Sequence, residues 1–80
     1  MKTHYDQVAD AAYCSFSDAR SARMVKLDDL RVVDYDANGT VVGVEILFPS
    51  LGANVSGLPH APEIERELRK LGFPVLHPAS

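Results

Sequence analysis

An α+β domain is the fold class this chain predicts: an antiparallel β-meander of four to five strands with one C-terminal helix. Two stretches carry that expectation. LRVVDY and TVVGVEILF (30–35 and 40–48) are rich in β-branched residues and joined by a segment ending in Asn38-Gly39, the local chemistry of a β-hairpin. PEIERELRKL (62–71) has helix punctuation at both ends. With 80 residues the chain is one domain, and so short a chain buries only about 60–65% of the surface it exposes when unfolded.

Taken in order, KTHY (2–5) suits an edge strand and Asp6 a turn. AYCSFS (12–17) alternates, with Ala12, Cys14 and Phe16 on its apolar side, and RMVKLD (23–28) is a weaker strand. The β-region ends near residue 50, and 51–61 reads as a connection with little periodicity. In the helix, Pro62 suits the first turn, Glu63 and Glu65 the positive end, and Arg69 and Lys70 the negative end. Gly72 provides a left-handed cap and Pro74 stops continuation, leaving 72–80 as a tail. Ile64, Leu68 and Leu71 form a narrow apolar stripe. Because that stripe covers only part of a sheet, a homodimer is expected, burying the remaining apolar face or pairing edge strands.

Composition narrows the function. A net charge of −3 and scattered basic residues argue against nucleic-acid binding, which draws on a surplus of Lys and Arg. The single Cys14 has no intramolecular disulfide partner, and no Cys/His grouping has zinc spacing. There is neither a signal-peptide pattern nor a membrane-length apolar run, so the cytoplasm is the default compartment and no membrane or cofactor is expected. His4, His60 and His77 sit in separate segments and read as surface or cap residues.

DYDANGTVVGVE (34–45) fits the calcium-loop pattern at Asp34, Asp36, Asn38, Gly39 and Glu45. Its flanks are strand-like, however, and the ninth position is Val42, which has no side-chain oxygen. If Asn38-Gly39 is a hairpin tip, Glu45 lies roughly 20 Å away along the strand, so the motif is turn chemistry. A two-residue turn pairs Tyr35 with Val42, Asp34 with Gly43 and Val33 with Val44, and is favoured for its continuous apolar face. A three-residue turn with a bulge at Gly39 pairs Arg31 with Glu45 and Val32 with Val44. In the favoured register Asp34, Asp36 and Glu45 share the other face as an acidic patch, which Asp10 and Asp6 would enlarge if they approached it. That patch is a solvated face or a partner for Arg20, Arg23 or Arg31, a divalent-ion or small-ligand site, or an acid/base pair. Nothing near Ser15 or Ser17 resembles a nucleophile's setting, and no catalytic residue is assigned.

HYDQVADAAYCSFSD followed by VVDYDANGTVVGVEIL resembles the family called domain of unknown function 2283. Tyr5, Asp6, Asp10, Ala11 and Tyr13 match its first motif, and Asp34, Asp36, Gly39, Gly43, Glu45 and Ile46 its second, over about residues 1–50. The resemblance implies a compact antiparallel sheet and an uncharacterised role, in a setting of small toxin–antitoxin-like gene pairs. Ala12 and Cys14 are smaller than is usual at their positions, and the helix lies outside the shared core. Three functions follow from these readings: a non-catalytic protein-interaction module with a protein partner, antitoxin-like and dimeric; an ion or small-ligand binder; and a carboxylate enzyme.

Overall fold

The computed structural model describes residues 1–77. Five antiparallel strands, β1 (Lys2–Asp6), β2 (Ala11–Ser15), β3 (Arg23–Asp28), β4 (Arg31–Tyr35) and β5 (Val41–Leu47), form one sheet in the order β1-β2-β5-β4-β3. The α+β class and the single C-terminal helix are as expected. The strand order refines the meander: β3, β4 and β5 follow one another, but the β1–β2 hairpin joins β5, so residues 16–22 carry the chain from β2 to the far edge. The most apolar strand, β5, is therefore central and paired on both sides.

The β4–β5 hairpin combines features of both expected registers. Asp36 and Thr40 close a three-residue turn, with the Asp36 N–H donating to the Thr40 carbonyl at 2.9 Å and Gly39 at φ 81°. Tyr35 accordingly faces Val41, not Val42. The register then shifts between Asp34 and Tyr35 because Val42 is an extra residue on β5, so Asp34 faces Gly43 and Val33 faces Val44, as the two-residue turn requires. The bulge lets a left-handed Gly39 turn coexist with the register that keeps Val33, Val44 and Ile46 on one face. Val41 takes the core-side place expected for Val42, and Phe48, also expected on that face, is largely exposed.

One face of the sheet carries the core. Ala12, Cys14, Val33, Val44 and Ile46 meet Ile64 and Leu68 of α1 (Ala61–Lys70). Leu71, expected in the helix stripe, is 48% exposed instead. The reason lies in the helix end. Gly72 at φ 86° turns the chain so that its N–H reaches the Arg69 carbonyl and the Phe73 N–H reaches that of Leu68, both at 3.0 Å. Phe73 is thereby laid against the core and meets the Tyr5 ring edge-on at 4.7 Å.

The connection at 51–61 is more ordered than its composition implies. After a 3₁₀ turn (Pro49–Leu51), β6 (Ala53–Asn54) pairs in parallel with β7 (Val75–Leu76), which lies in the expected tail. Ala53, Val55 and Leu58 are buried and form part of the cover over the sheet. Arg31 holds this cover in place: its side chain, 12% exposed, donates to the carbonyls of Asn54 and Ser56 while pairing with Asp28 at 2.9 Å.

Candidate functional site

The sheet face turned away from α1 is polar. Its two central rows run His4–Tyr13–Glu45–Val32–Lys26 and Lys2–Ser15–Gly43–Asp34–Met24, from β1 to β3. Four of the residues matching the family motifs, Tyr13, Asp34, Gly43 and Glu45, converge here. Gly43 leaves room for the Tyr13 side chain to lie across β5, and the Tyr13 hydroxyl donates to Asp34 Oδ2 at 2.8 Å. A Cβ on Gly43 would collide with that ring, lying 2.7 Å from Cε1 and closer still to Cζ and Oη. Burial, the hydrogen bond to Asp34 and the charges of Asp34 and Glu45 push the Tyr13 phenol up to about 12. Asp34 Oδ1 is buried without a hydrogen-bond partner.

The five acidic residues singled out in the sequence divide into three settings. Asp34 and Glu45 share the open face and flank Tyr13. Asp36 is occupied by its own turn, where Oδ1 accepts from the backbone N–H groups of Asn38 and Thr40 at 2.9 Å. Asp6 does the same for Val8 and Ala9 in the β1–β2 turn. Asp10 lies at the end of the sheet beside Phe48, five residues along β5 from Gly43 and so about 16 Å from the Asp34 position. It accepts from the Tyr5 hydroxyl at 2.9 Å and from the Ser50 hydroxyl. The Ser50 and Tyr5 donors hold its carboxyl below the usual range, and the same bond raises the Tyr5 phenol.

None of the arginines considered as partners for this patch is paired with it. Arg31 points to the cover and Asp28, and Arg23 lies over the Tyr35 ring at 5.0 Å. The histidines remain apart. His4 is exposed on β1, His60 caps α1 and stacks on Phe16 at 4.5 Å, and His77 meets Glu65 at 3.2 Å. Cys14 is fully buried, and burial pushes its thiol up. Among the described residues no group of three His, Cys, Asp or Glu side chains has metal-binding geometry, and no helix is long and apolar enough to cross a membrane.

Sequence reading missed a second feature, at the sheet end where β5 finishes. Val8 in the β1–β2 turn is 99% exposed and Leu51 is 82% exposed, with Phe48 and Leu30 also open to solvent. Backbone bonds bring the segments that carry them to the same end of the sheet: the Phe48 N–H donates to Asp10 O at 2.7 Å, and the Leu47 N–H to Leu30 O at 2.8 Å. Phe48 adopts φ 53°, an uncommon conformation for a bulky side chain. Below this rim, Leu30, Leu47, Gly52 and Leu76 line a cavity of about 240 Å³ beside Arg31 and Asp28.

A five-stranded antiparallel sheet with one covered and one polar face, crossed by a Tyr–Gly–Asp contact, defines the class of small α+β domain to which this chain belongs. The family model described as protein of unknown function (DUF2283) matches residues 2–50, more than half of the chain, and the chain belongs to that family. No curated protein and no solved structure matches it. The family match ends with the 3₁₀ turn, so β6, α1 and β7 lie beyond it.

Proposed function

We propose that this chain is a non-catalytic protein-interaction module that acts as a homodimer and docks a protein partner at the end of its sheet. The observation carrying this reading is the exposed rim of Val8, Phe48, Leu51 and Leu30, since grouped exposed apolar side chains mark docking surfaces. The Asp10 carboxylate ties the Tyr5 hydroxyl and Ser50 together beneath it, which supports the rim as a formed surface. Exposed Asp6 and Asp29 lie at the turns at the same end of the sheet, matching a partner that presents apolar and basic side chains. An antitoxin-like partnership with a neighbouring gene product is one form this takes.

The test compares the wild-type chain with Leu51→Asp in co-purification from the native cell, alongside thermal melts. A defined protein retained by the wild type and lost with Leu51→Asp, at unchanged melting temperature, supports the reading. Equal retention by both, or no retained protein, removes it.

The unpartnered Asp34 Oδ1 beside Glu45 favours a second reading, a divalent-ion or small-ligand site on the open face. A melting temperature that stays constant across calcium, magnesium and manganese eliminates it.

A further inference from the structure

We infer that the homodimer forms by antiparallel pairing of β1 with β1 of a second copy, centred on His4; this rests on the homodimer reading above and specifies its interface. The first support is the direction of the backbone groups. The Phe16 N–H donates to Val42 O at 2.8 Å, and the Phe48 N–H to Asp10 O at 2.7 Å, so even-numbered residues of β2 face β5. Alternation then turns Ala11, Tyr13 and Ser15 toward β1, where their partners are Asp6, His4 and Lys2. Thr3 and Tyr5 are left with N–H and C=O groups pointing outward from the sheet.

An isologous contact must pair each residue with one on the same face, so the two-fold axis passes through a residue position and not between two. Centring it on His4 places Thr3 against Tyr5 of the partner subunit, the two residues whose backbone groups are unpaired among the described residues, and engages the whole of β1. The side chains agree with this register. Lys2 falls opposite Asp6 of the partner subunit, and the two-fold repeats that opposite-charge pair. Thr3 beside Tyr5 is a favourable β-branched–aromatic pair. Centring on Thr3 instead sets Lys2 against His4, and centring on Tyr5 sets Thr3 against Gln7 of the turn.

The other free edge is a poorer self-partner. β3 centred on Val25 sets Arg23 against Leu27 and Lys26 against Met24 of the partner subunit, with no opposite-charge pair, and its register is broken between Lys26 and Asp28. Pairing β1 with β3 of another copy is heterologous and leaves a free edge at each end, an open polymer in place of a closed dimer.

The test uses the full chain carrying His4→Cys, with Val25→Cys as the matched substitution on the other edge. Opposed non-hydrogen-bonded residues have Cα atoms about 4.5 Å apart, within disulfide reach, and Cys14 is buried. Sedimentation velocity at micromolar concentration is expected to show a dimer. Diamide treatment should then cross-link His4→Cys into a covalent dimer and leave Val25→Cys uncross-linked. Lys2→Glu sets like charges opposite Asp6 twice and should raise the dimer dissociation constant at least about tenfold in low salt. A wild-type dimer in which His4→Cys stays uncross-linked, or Val25→Cys cross-links instead, overturns the β1 interface while leaving the homodimer reading intact. A wild-type monomer overturns both.

Discussion

Gly43 is where a single hydrogen atom in place of a side chain decides the arrangement of the open face. With no Cβ on β5, the Tyr13 ring crosses the central strand and its hydroxyl reaches Asp34 on β4, which ties β2, β5 and β4 together on the side that α1 does not cover. Gly43→Ala is expected to displace the ring and destabilise the fold by about 1–3 kcal/mol in urea denaturation. It should also change phenol titration followed at 295 nm. A phase near pH 12 is expected from Tyr13, absent in Tyr13→Phe and shifted to lower pH in Gly43→Ala as the ring leaves Asp34. The Tyr13 value is raised on folding above its ordinary 10.0, so the stability this contact lends is fully present below pH 10 and is lost as pH rises through about 12.

Among elements, the cover formed by residues 53–58 depends on Arg31. This side chain starts from β4, opposite Ile46 on the core face, and spends its donors on Asp28 and two backbone carbonyls of the cover. Arg31→Met keeps most of the apolar stem while removing those donors. It is expected to cost about 1–3 kcal/mol, and to accelerate amide hydrogen exchange at Ala53 and Val55 more than in α1. Equal acceleration in both places would show that the cover and helix open as one unit. Local chemistry made most elements legible: β-branched runs for β4 and β5, alternation for β2, Pro62 and Gly72 at the ends of α1. Strands β6 and β7 were not legible, because two-residue strands have no periodicity of their own and exist through pairing across twenty-two positions of sequence.

For the molecule as a whole, the net charge of −3 and the held carboxylates set the response to acid. Asp10, Asp28 and Glu65 release their protons more readily when folded than their ordinary values of 3.8, 3.8 and 4.5 imply, through Ser50, Arg31 and Arg69 respectively. Their contribution is present above those values and is lost as pH falls through the lower folded ones. The melting temperature is therefore expected to decline as pH drops from 5 toward 2, with a shallower decline in Asp10→Asn. A slope identical to that of the wild type would remove Asp10 from this account. The thin core of an 80-residue chain makes such small terms visible, because there is little surplus stability to mask them.

By itself the sequence determined the α+β class, the family motifs, the hairpin tip at Asn38-Gly39 and the punctuation of α1, since each rests on interactions within a few residues. Asp36 illustrates why the calcium-like pattern is turn chemistry: its carboxylate is satisfied by the backbone of the turn that follows it. Tertiary structure alone decided that β2 lies beside β5, that Val42 is a bulge, and that Asp34 and Glu45 flank Tyr13 while Asp10 stands apart at the sheet's end. Those outcomes follow from which faces and edges meet, a choice set by packing between distant segments, and no short stretch of the chain contains it.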